Sequence, residues 1–152
     1  MKKVIIAGGR DFNDYDFLKK SIDELNIEIG EVVSGKAPGV DTLGEKYAES
    51  KEIAIKEFPA DWSSFGRAAG PIRNKQMAEY ADVLIAFWDQ KSKGTKSMIN
   101  LALKNGLKVY IIHYEAVEGA TKKKSVKGIM KKVSDSRYEK NMQTKLFDDE
   151  SI

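Results

Sequence analysis

Cysteine is absent from this chain of 152 residues, and so are long apolar runs. Without cysteine the chain has no disulfide and no thiolate ligand for a metal, which is typical of proteins from a reducing compartment. The apolar run that follows the two lysines near the start is only about five residues long, too short for the core of a signal peptide or for a membrane span. We therefore expect a cytoplasmic protein that has no membrane partner.

Positive charge is in excess only near the end of the chain. Residues 1–119 contain 17 Lys and Arg against 18 Asp and Glu, a net charge of −1, whereas residues 120–152 contain 9 against 5, a net charge of +4. The body of the protein therefore lacks the basic surplus that is typical of a general nucleic-acid-binding face.

Groups that would bind a metal or form a catalytic triad are also scarce. His113 is the only histidine, and it ends an apolar segment, where a histidine is more often structural than catalytic. No cluster of residues has the spacing of metal ligands, and no Ser-His-Asp set is convincing. We predict no metal and no cofactor, and we assign no catalytic residue.

Five short apolar segments alternate with four segments of helical periodicity. This alternation is typical of an α/β fold with three layers, in which helices cover both faces of a parallel sheet of about five strands. Right-handed crossovers then place every strand-to-helix loop at the carboxyl edge of that sheet. The predicted strands are residues 3–7, 31–34, 53–58, 82–88 and 107–113, and the predicted helices are 15–25, 41–50, 71–80 and 96–105.

Glycine-rich loops follow the first two predicted strands. Gly8 and Gly9 permit a sharp turn and a close approach of a ligand to the backbone, and Arg10 suits a phosphate, although a tight turn with a surface arginine explains the same pattern. The segment SGKAPGVDT lacks the Walker pattern but leads into a helix whose first N–H groups favour an anion. Asp41 either caps that helix or accepts a hydrogen bond from a ligand hydroxyl.

The segment PADWSSFGRAAGPIRNKQM, residues 59–77, places arginine and amide groups at the start of a helix. Gly70 permits a close approach, and Arg73 and Asn74 lie one turn inside the helix, within reach of a phosphate or sugar. Trp62 either covers a base by stacking or anchors the loop against the body.

Four segments in this order, AGGRDF, SGKAPGVD, PADWSSFGRAAGPIRNKQM and DVLIAFWDQKSKGT, resemble the YspA-like branch of the SLOG superfamily. That superfamily has a Rossmann-like fold and is related to the cytokinin-activating LOG proteins and to the domain of DNA-processing protein A. The resemblance implies a nucleotide-binding domain over residues 1–115, and it leaves residues 116–152 as a basic extension, flexible or partly helical. It also implies a homodimer or higher homo-oligomer, and a ligand sensor of bacteria or their phages.

The resemblance implies that a nucleotide or nucleotide-derived molecule is sensed or sequestered at the carboxyl edge of the sheet. Arg10 and Arg73 would neutralise the charge of the phosphate, and Asp41 or Asn74 would form a hydrogen bond with the sugar or base. The backbone that would contact the phosphate is that of Gly8, Gly9, Gly35 and the helix start at Gly94 and Thr95. The predicted ligand-binding residues are Gly8, Gly9, Arg10, Asp11, Ser34, Gly35, Gly39, Asp41, Asp61, Trp62, Gly70, Arg73, Asn74, Ser92, Gly94 and Thr95.

The related LOG enzymes hydrolyse the N-glycosidic bond of a nucleoside monophosphate, and this activity is the first alternative. Met98 stands where those enzymes have a glutamate, and methionine neither activates water nor stabilises an oxocarbenium-like centre. We therefore expect binding rather than catalysis, although Asp11, Asp41 or Asp61 remain candidates to replace the glutamate. The second alternative is single-stranded nucleic-acid binding, aided by the lysine-rich extension.

Overall fold

The computed structural model describes residues 1–118 and 124–133, which form a single six-stranded sheet flanked by helices. The strand order is β3-β2-β1-β4-β5-β6; the first five of these strands are parallel and β6 is antiparallel to β5. The predicted Rossmann-like α/β fold with five parallel strands is confirmed. The strands are β1 (Lys2–Gly8), β2 (Ile29–Ser34), β3 (Ala54–Glu57), β4 (Val83–Trp88), β5 (Lys108–Glu118) and β6 (Lys124–Val133).

Helices cover both faces of the sheet because alternate residues of its strands point in opposite directions. Ile6 of β1 belongs to one buried cluster with residues of the first two helices, and Ile5 belongs to a second cluster with residues of the last two. A short 3₁₀ helix, Gly66–Ala68, precedes the fourth helix. The helices are α1 (Tyr15–Glu24), α2 (Val40–Ser50), α3 (Trp62–Phe65), α4 (Ala69–Tyr80) and α5 (Lys93–Lys104).

Strand β4 is the centre of the described core. All six of its residues are buried, because β1 and β5 pair with its edges and helices pack on both of its faces. The continuous apolar run in the sequence is typical of a parallel strand in this position. None of the described helices combines the length and the apolar character that crossing a bilayer requires.

Two predictions about the chain require correction. The sequence predicts a flexible or partly helical extension from residue 116, but β5 continues to Glu118 and residues 124–133 form strand β6. Antiparallel pairing with β6 satisfies the backbone groups along the outer edge of β5, which would otherwise be an open edge. The rest of the extension lies outside the described residues. The loop predicted before α4 contains α3, and α4 begins at Ala69, since Pro71 is tolerated in a first helical turn.

Gly39 brings the loop before α2 against the loop that follows β1. Its φ of 79° and ψ of −122° form a backbone conformation that only glycine adopts without strain. The N–H of Val40 donates a hydrogen bond to the carbonyl oxygen of Gly9 at 3.2 Å, and a Cβ atom on Gly39 would overlap the same oxygen. The two loops can therefore meet only if residue 39 has no side chain.

Gly39→Ala should lower the free energy of unfolding by more than Gly106→Ala. Gly106 has nearly the same φ, 78°, but a Cβ atom there would meet no atom within 4 Å. The Gly106 variant should therefore lose only about 1–2 kcal/mol for left-handed backbone strain, whereas the Gly39 variant adds a clash with backbone. Urea unfolding of both variants measures the difference. Equal losses would show that the contact between the loops tolerates a side chain.

Candidate functional site

A cleft of about 440 Å³ opens at the carboxyl edge of the sheet, where the chain turns from β1 towards β2 on one side and β4 on the other. In open α/β sheets such a change of strand order separates the flanking loops and creates a ligand crevice. The cleft is lined by Ala7, Gly8, Gly9, Arg10, Asp11, Ala37, Asp41, Arg73, Asn74, Met77, Asp89, Ser92, Gly94, Thr95 and Met98.

Two arginines contribute positive charge to the cleft. Arg10 is exposed in the loop after β1, whereas Arg73 is buried in the first half of α4. Burial lowers the pKa of Arg73 below its ordinary value; Asp41 opposes this effect and Arg10 adds to it. Among the described residues, neither guanidinium forms an ion pair with a carboxylate. Their charges therefore remain available to an anionic ligand.

Arg73 also holds two parts of the fold together. Its Nη1 donates a hydrogen bond to the carbonyl oxygen of Gly35, after β2, and its Nε donates to Oδ1 of Asn74 at 3.0 Å. A Cβ atom on Gly35 would lie 2.9 Å from both Arg73 Nη1 and Asp41 Oδ2. Glycine at position 35 thus allows a guanidinium and a carboxylate to flank the backbone.

Asp41 binds the loop that precedes its own helix. Its Oδ2 accepts a hydrogen bond from the N–H of Ala37 at 3.2 Å, while Gly39 is the N-cap residue of α2 and provides no side-chain cap. Burial raises the pKa of Asp41 to about 6, against the opposing effects of the Ala37 N–H and of Arg73. Asp41 is therefore not the cap of its helix; it stabilises the preceding loop and lines the cleft, where its hydrogen bond to a ligand hydroxyl stays a prediction.

Two further carboxylates face the cleft from the other side of β1. Oδ1 of Asp11 accepts a hydrogen bond from Tyr114 Oη at 3.1 Å, and Oδ1 of Asp89 accepts from the N–H groups of Lys91 at 2.9 Å and Ser92 at 2.8 Å. The pKa of Tyr114 is raised by burial and then by Asp11 and Asp89. Both carboxylates therefore lie near the Tyr114 hydroxyl group, Asp11 in the loop after β1 and Asp89 directly after β4.

The start of α5 supplies hydroxyl and backbone donors. Ser92 caps the helix, since its Oγ accepts from the N–H of Thr95 at 3.3 Å and lies 3.0 Å from Thr95 Oγ1. The carbonyl of Ser92 accepts a hydrogen bond from Trp88 Nε1, which anchors the loop to β4. In the part of the chain that the structure describes, the N–H groups of Lys93 and Gly94 have no protein acceptor.

The two glycines where β1 ends, Gly8 and Gly9, are required by the packing around them. The N–H of Gly9 donates to the carbonyl of Phe87 at 3.3 Å, so this donor is already occupied. A Cβ atom on Gly8 would overlap the same carbonyl, and one on Gly9 would overlap Tyr114 Oη. The packing therefore accounts for a tight turn at this motif, and the contact of these glycines with a ligand stays a prediction.

The cleft brings together most of the predicted ligand-binding residues, but six of them lie outside its lining. Ser34 donates its hydroxyl hydrogen to Glu45 Oε2 at 2.7 Å, and Asp61 is an exposed N-cap that accepts from the N–H of Ser64. The predicted residues in the lining are Gly8, Gly9, Arg10, Asp11, Asp41, Arg73, Asn74, Ser92, Gly94 and Thr95, and those outside it are Ser34, Gly35, Gly39, Asp61, Trp62 and Gly70.

Trp62 lies beside the cleft without being buried. Half of its surface is exposed, the guanidinium carbon of Arg10 is 6.0 Å from its ring centroid, and a Cβ atom on Gly70 would lie 3.4 Å from the ring. The indole is therefore not a buried anchor for its loop. Its contact with Arg10 places the Arg10 side chain on the β3 side of the cleft.

Sequence reasoning overlooked two residues of the site. Asp89 directly follows the most apolar strand at the carboxyl edge, so its position alone identifies it as a candidate. Tyr114 has no such signal, because its contact with Asp11 depends on β5 extending beyond its predicted end. His113 is buried in β5 beside Gln90, outside the lining of the cleft. The described residues contain no group of three or more His, Asp or Glu side chains that could hold a metal ion.

Comparison with known proteins supports the resemblance seen in the sequence. Residues 2–65 match the model of the YspA, cpYpsA-related SLOG family, which confirms that resemblance for the first part of the chain. No curated protein matches the chain.

Among solved structures, the chain is similar to DNA processing protein A from Streptococcus pneumoniae. The TM-score is 0.58 and the sequence identity is 18%. The match covers 71% of this chain and 48% of the other, so this chain spans about half the length of that protein. At this identity the likeness establishes the fold alone.

The raised pKa of Asp41 predicts a pH-dependent effect of Asp41→Asn on stability. Because the folded-state pKa exceeds the unfolded value, stability is greatest when Asp41 is protonated and falls as the pH rises from about 4 to 6. Asparagine still accepts from Ala37 without ionising. As the pH rises from 4 to 7, the free energy of unfolding of the variant should therefore increase by about 2–3 kcal/mol relative to that of the original protein.

Urea unfolding at several pH values measures this difference. Asp16→Asn, which removes the same charge from the exposed first turn of α1, is the matched control. A difference between the Asp41 variant and the original protein that stays constant over this range would contradict the raised pKa.

Proposed function

We propose that the cleft binds a nucleotide or a nucleotide-derived small molecule, which the protein senses or sequesters. The observation that carries this proposal is the convergence of Arg10 and Arg73 on one cleft with no ion pair to neutralise either of them among the described residues. Arginine binds phosphate through paired, charge-assisted hydrogen bonds. A phosphate group between the two guanidiniums would offset their mutual repulsion.

The remainder of the cleft suits the uncharged parts of a nucleotide. Its volume of about 440 Å³ falls within the range of about 300–1,000 Å³ that is usual for small-molecule sites. The hydroxyls of Ser92 and Thr95 and the N–H of Gly94, which has no acceptor among the described residues, supply donors at the start of α5. The match to a SLOG family over residues 2–65 supports a nucleotide-related ligand.

We also propose that the ligand stays intact. Met98 lines the cleft where the related hydrolases have a glutamate, and none of the three alternative aspartates is an evident replacement. Asp41 is bound to Ala37, Asp61 caps α3 outside the cleft, and Asp11 accepts the Tyr114 hydroxyl. Asp11 and Asp41 do line the cleft, so hydrolysis requires a direct test.

Nucleic-acid binding receives less support from the same cleft. Two arginines face three aspartates in its lining, so it lacks the basic surplus that holds a polynucleotide backbone. The sequence also attributes nucleic-acid binding to the lysine-rich extension. The side chains of that extension are not among those that the structure describes.

Arg10→Ala should weaken the binding of nucleoside 5′-monophosphates by about 1.5–3 kcal/mol, the usual value for a hydrogen bond to a charged group. Arg10 is preferable to Arg73 because Arg73 also bonds the Gly35 carbonyl, so its removal would disturb the fold. Arg67→Ala is the matched control, since Arg67 is exposed and lies outside the cleft. Titration calorimetry with adenosine and guanosine monophosphates measures the affinities. Equal affinities of the two variants would remove Arg10 from the site.

Prolonged incubation with the same monophosphates should release neither free base nor ribose 5-phosphate. We expect no release because Met98 lies where the related hydrolases have a glutamate, and methionine cannot activate water. Chromatography of the reaction mixture measures the products, and loss of a product peak in Asp11→Asn would identify a true hydrolase rather than a contaminant. Sustained release that depends on Asp11 would overturn the proposal of binding without cleavage.

A further inference from the structure

Asp41 and Arg73 are close neighbours in the lining of the cleft, and both side chains are buried. Asp41 is 5% exposed and Arg73 is 8% exposed. A Cβ atom on Gly35 would lie 2.9 Å from both Asp41 Oδ2 and Arg73 Nη1, so these two atoms are at most twice that distance apart. Within the described part of the chain they nevertheless form no ion pair. A buried carboxylate and a buried guanidinium therefore share one wall of the cleft without being joined.

The carboxylate of Asp41 is held by the backbone and not by a cation. Its Oδ2 accepts a hydrogen bond from the N–H of Ala37 at 3.2 Å, and Arg73 Nη1 donates instead to the carbonyl oxygen of Gly35. Burial disfavours the charged form of a carboxyl group, and here this effect outweighs both the backbone donor and the guanidinium. Asp41 can therefore gain a proton without breaking an ion pair.

The other charged groups near Asp41 do not supply the missing cation. Lys36, in the loop before α2, is paired with Glu45 at 2.9 Å and with Glu57 of β3 at 3.4 Å. Glu45 lies one turn further along α2 and raises the pKa of Asp41. Asp23 of α1 contacts the other end of α2, where it accepts a hydrogen bond from Tyr47. The charged residues that line the cleft with Asp41 are Arg10, Asp11, Arg73 and Asp89.

An anion bound to Arg73 would compete with Asp41 for the same positive charge. Arg73 favours the ionised form of Asp41, and an anion that neutralises the guanidinium removes that effect. The anion also brings a like charge close to the carboxylate, which favours the protonated form. Once protonated, the carboxyl group has an O–H donor that can form a hydrogen bond with the anion. Binding of an anion and protonation of Asp41 should therefore support each other.

We propose that the cleft binds its anionic ligand together with one proton, which the carboxylate of Asp41 accepts from solvent. One O–H bond forms on Asp41, so the negative charge that ligand binding adds to the cleft is offset by one. The affinity for the ligand then rises as the pH falls, and the protein responds to ligand and pH jointly. This inference rests on the proposed function, because it concerns the ligand of the same cleft.

The test measures the dissociation constant of adenosine 5′-sulfate between pH 6 and pH 8. A sulfate ester keeps one negative charge over this range, whereas a phosphate group titrates near pH 6. The pKa of Asp41 is about 6 in the absence of ligand and should be higher in the complex. The affinity of the original protein should therefore fall by about tenfold as the pH rises over this range. The affinity of Asp41→Asn, which resembles the protonated form, should stay constant.

A matched control removes a negative charge away from the cleft. Asp16→Asn alters an exposed residue of α1 and should show the same fall in affinity as the original protein. Titration calorimetry at pH 7 in two buffers of different ionisation enthalpy gives a second readout, the number of protons taken up with the ligand. The original protein and the Asp16 variant should take up part of one proton for each ligand bound, and the Asp41 variant should take up none.

The outcomes separate this inference from the function on which it rests. If the original protein binds neither AMP nor adenosine 5′-sulfate, the proposed nucleotide site fails and the inference fails with it. If only AMP binds, the same three proteins are compared with AMP, whose own titration is common to all of them. If the Asp41 variant keeps the pH dependence and the proton uptake, the inference is overturned and the nucleotide site stands.

Two further results would overturn the inference. An affinity that rises with pH in the original protein but not in Asp41→Asn would show that the ionised carboxylate accepts a hydrogen bond from a ligand hydroxyl. Loss of binding in a folded Asp41→Asn protein at every pH would show that the cleft needs the charge of Asp41, because a carboxamide should serve as well as a protonated carboxyl group.

Discussion

The hydrogen bond from Arg73 to the carbonyl oxygen of Gly35 connects helix α4 to the end of strand β2, and the geometry of the site depends on it. Glycine at position 35 leaves room for it, because a Cβ atom there would crowd the ends of the Arg73 and Asp41 side chains. The hydrogen bond keeps a guanidinium buried where desolvation opposes its charge, and the nearby Asp41 compensates only in part. A buried cation that lacks a paired carboxylate is costly to fold, and an anionic ligand would reduce that cost.

The same contact fixes where the charge of Arg73 lies in the cleft. Arg73 is held at the β2 side of β1, so its charge cannot move towards Asp89 at the β4 side. Tyr114 holds the carboxylate of Asp11 on that opposite side in the same way. Each charged group is thus fixed by a neutral partner rather than by its opposite charge. Asp41 lies beside Arg73 and offsets part of its charge, so the β2 side of the cleft carries both signs.

Sequence reasoning predicted the fold because each strand and helix carries its own local pattern. The apolar run of β4 and the alternation of strands with helices suffice to place the loops at one edge. The sequence does not predict strand β6, because a segment rich in lysine has the composition of a solvated segment. Its pairing with β5 depends on residues that are distant in the sequence. The role of Tyr114 was not predicted for a similar reason, since no local pattern indicates that its hydroxyl group contacts Asp11.

The glycine motifs show why a local pattern predicts the location of a site better than it predicts the roles of its residues. The sequence predicts that Gly8 and Gly9 form a surface for phosphate, yet each lies where a side chain would overlap neighbouring atoms. Close packing of loops and close approach of a ligand demand the same residue, so glycine alone cannot distinguish them. Arg10 distinguishes them better, because its exposed guanidinium forms no ion pair among the described residues, whereas Arg73 also has a structural role at the carbonyl oxygen of Gly35. The assignment of a ligand therefore rests on Arg10 and Arg73, and the glycines explain how the loops that carry them come together.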